Sequence, residues 1–117
     1  MRPRLVILVR HGQSEANVDI SIHRTIPDHK IKLTELGVEQ ALEAGHSLNK
    51  LLRPEDSVQF YVSPYLRTRQ TFEYMSKALD KGKWKYYEEP RLREQGKKLK
   101  YFKHILLLSH STLWFFM

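Results

Sequence analysis

A short stretch near the start of the chain, residues 4–9, is apolar from Leu5 onward and leads directly into Arg10-His11-Gly12. The run contains β-branched residues and is bounded by Pro3 on one side and by the Arg-His-Gly turn on the other. These features predict a buried strand. The sequence therefore places an arginine, a histidine and a glycine just after the carboxyl end of that strand.

Further strands are predicted at residues 60–63, 84–87 and 105–108. Between them, Thr34 is a predicted N-cap of a helix that reaches about Leu52 and has apolar residues at helical spacing. Ser63 is predicted to cap a second helix, with Pro64 at its first position. Alternating strands and helices favour an α/β fold with a mostly parallel sheet.

Two polar clusters follow the first two predicted strands, and parallel strands bring their carboxyl ends to one rim, where ligands bind. Arg10 and His11 follow the first strand, and residues 63–67, including Arg67, follow the second. A neutral imidazole is a nucleophile, and the forked guanidinium of arginine neutralises a phosphate dianion before attack. Gly12 allows the backbone to approach an anion closely. Without further context, however, a histidine after a strand is more often structural, and these arginines are also compatible with a solvated helix face.

Hydrolysis of a phosphate ester also needs an acid that protonates the leaving alkoxide. Glu94 is one candidate, and Glu88 and Glu89 are others. No pair of histidine or acidic side chains has a strong metal-ligand spacing, so we expect neither a metal nor another cofactor.

Charge and composition limit the partners and the compartment. The net charge is +7, and residues 96–117 contain four lysines and no acidic residue. Those lysines, with two neighbouring aromatic residues, permit a nucleic-acid binder as an alternative, but no nucleic-acid motif accompanies them, and we expect no nucleic-acid partner. The absence of cysteine fits a reducing compartment, and the apolar run at 105–117 is shorter than the ~20 residues of a membrane span. We expect a cytoplasmic protein without membrane contact.

Four stretches resemble, in order, motifs of the histidine phosphatase (phosphoglycerate mutase-like) superfamily. They are residues 8–17 (LVRHGQSEAN), 33–41 (LTELGVEQA), 63–71 (SPYLRTRQT) and 89–95 (EPRLREQ). A further stretch, residues 25–31 (TIPDHKI), is similar to the phosphoglycerate mutase-like phosphatases of plants and fungi. The resemblance implies a three-layer α/β/α phosphoglycerate mutase-like fold with a mostly parallel sheet, here incomplete.

The resemblance also implies roles for individual residues. His11 matches the histidine that becomes phosphorylated, Arg10 and Arg67 match the arginines that hold the phosphoryl group, Asn17 matches a residue of the same pocket, and Glu94 matches the proton donor. The implied activity is hydrolysis of a small phosphate monoester through a phosphohistidine, without a metal. Phosphoryl transfer of the mutase type is the alternative within the family.

The resemblance to the family changes after Gln95. We interpret residues 1–95 as the N-terminal part of a histidine phosphatase domain and residues 96–117 as a divergent tail of a chain truncated at its C-terminal side. In one interpretation, an internal deletion brings a late family strand forward, and His110 is the second catalytic histidine. In the other, which the acid-free and abrupt tail favours, the tail is not family sequence and His110 matches by coincidence. Truncation predicts low stability or self-association, and a chain that binds phosphate-like anions without turnover is a further alternative. The sequence leaves the oligomeric state open.

Overall fold

The computed structural model describes residues 5–92 and, for the backbone alone, Thr112–Phe116. Its four strands are β1 (Leu5–Leu8), β2 (Ser57–Val62), β3 (Lys83–Glu88) and β4 (Thr112–Phe116). Its three α-helices are α1 (Glu15–Val18), α2 (Glu35–Leu51) and α3 (Leu66–Ser76). Two 3₁₀ turns, Ile20–Arg24 and Asp28–Lys30, lie between α1 and α2.

The four strands form one parallel sheet in the order β1-β4-β2-β3. The predicted α/β fold with a parallel sheet is confirmed. β4 lies between β1 and β2, with Trp114 opposite Val6 on one side and Gln59 on the other. Among the described residues, β1 therefore joins the sheet through β4. The strand predicted at residues 105–108 lies outside the described residues, and no strand was predicted at residues 112–116.

The core lies between the sheet and the α2–α3 helix pair. Side chains alternate along β2, so that Val58, Phe60 and Val62 are almost fully buried. They pack with buried apolar residues of the two helices and the segment after α2, which are Leu48, Leu52, Phe72 and Met75. The two helices cross closely, since a Cβ atom at Gly45 would overlap the carbonyl oxygen of Met75.

Local sequence signals account for the ends of α2 but not for the start of α3. Thr34 caps α2 as predicted, because its hydroxyl accepts a hydrogen bond from the Gly37 N–H at 3.1 Å. The predicted cap at Ser63 is wrong, because Tyr65 is the N-cap and has an extended backbone (φ −64°, ψ 140°). Residues 63–65 therefore remain outside the helix, and the Ser63 hydroxyl accepts a weak hydrogen bond from the Tyr65 N–H at 3.3 Å.

The described part of the chain has neither a membrane-spanning helix nor a metal-binding cluster. None of its helices has the length and apolar character needed to cross a membrane. The same residues contain no group of three histidine or acidic side chains placed to hold a metal ion.

Candidate active site

The carboxyl ends of the parallel strands meet at one edge of the sheet. β1 ends at Leu8, and Arg10 and His11 follow it; β2 ends at Val62, and the segment leading into α3 follows it. The predicted rim is thus formed by the same two segments that the sequence identified. Loops at this edge are the usual place for a ligand in an open α/β sheet.

A cleft of about 410 Å³ opens next to this rim. It is lined by Arg10, His11, Gln13, Asn17 and Gln40. Three of the predicted site residues, Arg10, His11 and Asn17, therefore lie together. Gln13 and Gln40 lie within the resembling motifs at residues 8–17 and 33–41, but no role was predicted for them.

The backbone fixes the tautomer of His11. Its Nδ1 lies 2.6 Å from the carbonyl oxygen of Gly12. A peptide carbonyl only accepts hydrogen bonds, so Nδ1 carries the proton in a neutral ring and the lone pair is on Nε2. In this arrangement a neutral imidazole presents Nε2 as the ring nitrogen that can act as a nucleophile.

Asn17 is also held in one orientation. Its side-chain oxygen accepts hydrogen bonds from the Ser14 N–H at 2.8 Å and from the Ser14 hydroxyl at 3.1 Å. With the oxygen engaged at the start of α1, the amide N–H₂ is the part of the side chain that can donate to a ligand. A donor next to Arg10 and His11 suits an anion.

Helix α2 holds the loop after β1 through close backbone packing. A Cβ atom on Gly12 would overlap the carbonyl oxygen of Gly37, and a Cβ atom on Gly37 would overlap that of Gln13. The Gln40 side chain accepts a hydrogen bond from the Gln13 N–H at 2.8 Å, and the Thr34 N–H donates to the Gln13 carbonyl at 3.0 Å. Residues of the second motif (33–41) therefore pack against the first motif (8–17) and fix its backbone.

Thr71 connects the same loop to α3. Its hydroxyl accepts a hydrogen bond from the Gly12 N–H at 3.1 Å and donates to the Arg67 carbonyl at 2.7 Å. Thr71 is only 1% exposed. The two rim clusters are thus joined by one buried hydroxyl, which the sequence analysis did not identify as a site residue.

Arg67 lies on the first turn of α3 and is 4% exposed. One terminal nitrogen donates to the Asp28 carbonyl at 2.7 Å and to its Oδ1 at 3.2 Å, and the other approaches its Oδ2 at 3.5 Å. The guanidinium also lies 4.8 Å from the centre of the Tyr65 ring. Arg67 is not among the residues that line the cleft, and Asp28 is a partner that the sequence analysis did not predict.

Of the three candidate acids, Glu89 is unsuited to proton donation. Arg91 donates side-chain and backbone hydrogen bonds to its carboxylate, and they lower the pKa of Glu89 to about 2. Such a carboxyl group is ionised at neutral pH and has no proton to give. Glu88 ends β3 and is exposed. Glu94 and His110 lie outside the described residues.

We expect Thr71→Val to destabilise the protein, because it leaves the buried Gly12 N–H without its acceptor. The cost of an unsatisfied buried donor is about 1–3 kcal/mol. Thr71→Ser is the matched control, since it keeps the hydroxyl and removes only a methyl group. Urea unfolding of the two variants would measure the difference, and equal stability of the valine and serine variants would contradict the role of the hydroxyl.

A family model and several curated proteins match most of this chain. The family model described as "Histidine phosphatase superfamily (branch 1)" matches residues 6–98. The chain is 46% identical over 99 residues to phosphoglycerate mutase-like protein AT74 of Arabidopsis thaliana, a match covering 80% of this chain and 31% of that protein. It is 30% identical over 114 residues to the broad-range acid phosphatase DET1 of Saccharomyces cerevisiae, with 68% and 34% covered. The chain thus spans about a third of the length of these curated relatives.

Solved structures support the fold. The protein histidine phosphatase SixA in complex with tungstate superposes with a TM-score of 0.59 at 19% identity, covering 95% of this chain and 67% of that one. The expected phosphoglycerate mutase-like α/β architecture is confirmed, together with a sheet that is short for that fold.

Proposed function

Because the chain belongs to the histidine phosphatase superfamily, we propose that it hydrolyses phosphate monoesters through a phosphohistidine at His11. The observation that carries this proposal is the 2.6 Å contact between His11 Nδ1 and the Gly12 carbonyl, in a cleft that Arg10 also lines. It leaves the lone pair on Nε2, where a nucleophile needs it. The acid phosphatase among the relatives supports this reaction class.

The proposed reaction has two steps. In the first, Nε2 forms a bond to phosphorus while the ester P–O bond breaks, and the leaving alkoxide takes a proton from an acid. In the second, water attacks phosphorus and gives a proton to the carboxylate that the first step left, the N–P bond breaks, and inorganic phosphate leaves, so that the neutral imidazole and the protonated acid are both restored. Transfer to an alcohol instead of water would give the mutase variant.

Positive charge at the rim would neutralise the phosphoryl oxygens during both steps. Arg10 lines the cleft and Asn17 offers amide donors there. We assign Arg67 the role of a second phosphoryl-binding arginine on the strength of the motif match. Arginine is suited to this task because its fork matches pairs of phosphate oxygens.

For the acid we propose Glu94. Glu89 belongs to the same motif, but its low pKa argues against Glu89 as the proton donor. The role of His110 as a second catalytic histidine is a separate proposal, and the reaction above does not depend on it. Hydrolysis that survives His110→Ala would reject that role, whereas complete loss in a folded variant would support it.

Replacing His11 by alanine is expected to abolish hydrolysis of p-nitrophenyl phosphate. Loss of a covalent nucleophile lowers kcat by on the order of 10³-fold or more. His46→Ala is the matched control, because His46 is exposed on α2 and does not line the cleft. The wild-type chain should also accumulate protein-bound phosphate that is labile in acid and stable in alkali, and His11→Ala should not.

The competing possibility is a chain that binds phosphate-like anions without turnover, which its length relative to the relatives keeps open. Phosphate binding that Arg10→Ala weakens, combined with no release of inorganic phosphate from any monoester tested, would favour that alternative. Hydrolysis unaffected by His11→Ala would reject the phosphohistidine.

A further inference from the structure

The contact between Arg67 and Asp28 joins two parts of the chain 39 residues apart. Arg67 is almost completely buried, whereas the Asp28 side chain is about half exposed. Three of the short contacts of the guanidinium end on this one residue, on its carbonyl and on both carboxylate oxygens. Asp28 therefore meets the guanidinium with its main chain and its side chain together.

Such a contact restricts the plane of the guanidinium. A buried cation is costly unless an opposite charge and hydrogen-bond acceptors compensate it. Contacts to two carboxylate oxygens through both terminal nitrogens define one orientation of the fork. The adjacent turn is itself anchored, since Ile31 is fully buried and its N–H donates to the Asp28 carbonyl at 3.4 Å.

Arg67 is also tied to the loop that carries His11. The Arg67 carbonyl accepts a hydrogen bond from the Thr71 hydroxyl, and that hydroxyl accepts one from the Gly12 N–H. The main chain of Arg67 is thus fixed relative to His11 from one side, and its guanidinium is fixed by Asp28 from the other. The position of the charge relative to the nucleophile depends on both.

We propose that Asp28 is a positioning residue of the phosphoryl site, which sets the orientation of the Arg67 guanidinium before an anion binds. This inference rests on the proposed phosphoryl-binding role of Arg67. The alternative is a competitor, in which the Asp28 carboxylate occupies the place of the phosphate on Arg67. The two interpretations of Asp28 predict opposite changes in anion affinity, because removing a positioning residue weakens anion binding and removing a competitor strengthens it.

The test is a double-mutant cycle on the full chain with inorganic phosphate as the probe, measured by calorimetry. We expect Asp28→Ala to weaken phosphate binding by roughly tenfold when Arg67 is present, and by less than twofold in an Arg67→Ala background. Asp28→Asn should recover part of the affinity, because asparagine keeps one side-chain oxygen that can accept from Arg67, whereas alanine keeps only the main-chain carbonyl. The matched control is Asp19→Asn, a charge change just before the other 3₁₀ turn, at a residue whose side chain binds Ser21. Tighter binding in Asp28→Ala, or equal weakening in both backgrounds, would overturn the proposal.

A second measurement reports the rotation of the Arg67 guanidinium directly and does not require phosphate binding. Restricted rotation of the guanidinium predicts separate NMR signals for its terminal N–H groups in the wild-type chain, and their coalescence in Asp28→Ala. A wild-type chain without separated Arg67 signals would overturn the positioning role. Separated signals in a chain that binds no phosphate would reject the proposed function while leaving the Asp28–Arg67 restraint in place.

Discussion

Gly37→Ala is expected to destabilise the protein and to impair the proposed phosphoryl site at once. In most helix positions, this substitution stabilises by about 1 kcal/mol, because alanine has the higher helix propensity. At Gly37, the new Cβ atom would overlap the Gln13 carbonyl oxygen and lie 3.0 Å from the carbonyl carbon. These are backbone atoms, so the overlap cannot be relieved by a side-chain rotation.

The loop would have to move away from α2, and its other contacts with the helix would stretch. The Gln13 N–H would separate from the Gln40 side chain, and the Gln13 carbonyl from the Thr34 N–H. Overpacking of this kind costs typically 1–3 kcal/mol, which exceeds the gain from propensity. Since the loop carries His11 into the cleft and leads directly into α1, which carries Asn17, its displacement should also weaken phosphate binding.

Thermal unfolding and phosphate calorimetry on Gly37→Ala would check both effects. Glu39→Ala is the control, because Glu39 is exposed on the same helix and alanine there changes propensity and charge without touching the loop. A higher melting temperature together with unchanged phosphate binding would mean that propensity outweighs the contact, and that the loop does not depend on this glycine.

The features that sequence reasoning recovered are those with a local cause. Thr34 stands before an amphipathic segment, and the hydroxyl–amide cap it predicts is present. The run before Arg10 forms β1, and the rim follows from the parallel arrangement of the strands. Arg10, His11 and Asn17 lie in one contiguous motif, so a single loop was sufficient to bring them together.

The features that it missed depend on contacts between distant segments. Asp28 and Arg67 are joined across 39 residues, and the Gly12 N–H and Thr71 across 59. Neither pair has a spacing pattern, because each is set by how α3 packs against the preceding loops. Ser63 has the residue type of a helix cap, but the extended backbone at Tyr65 delays the helix.

Trp114→Pro is expected to have the largest effect on the fold, because residue 114 lies in the middle of the strand that joins β1 to β2. Proline has no N–H for the ladder, and its ring disturbs a central strand, so prolines are found in edge strands or bulges. The effect should approach the ~3 kcal/mol that a proline costs inside a helix. Trp114→Ala is the control, since it changes the side chain and keeps the backbone donor.

The destabilisation that Trp114→Pro causes in the sheet should also disrupt the proposed phosphoryl site. Among the described strands, β1 pairs only with β4. β1 also positions Arg10 and His11, which follow its carboxyl end. We therefore expect Trp114→Pro to lose cooperative unfolding and phosphate binding together, and to associate through the exposed strand edges. Equal denaturation midpoints for the proline and alanine variants would contradict a central position of β4. In that case β1 would need another attachment, and the orientation of His11 would rest on the contacts that the adjacent Gly12 and Gln13 make with α3 and α2.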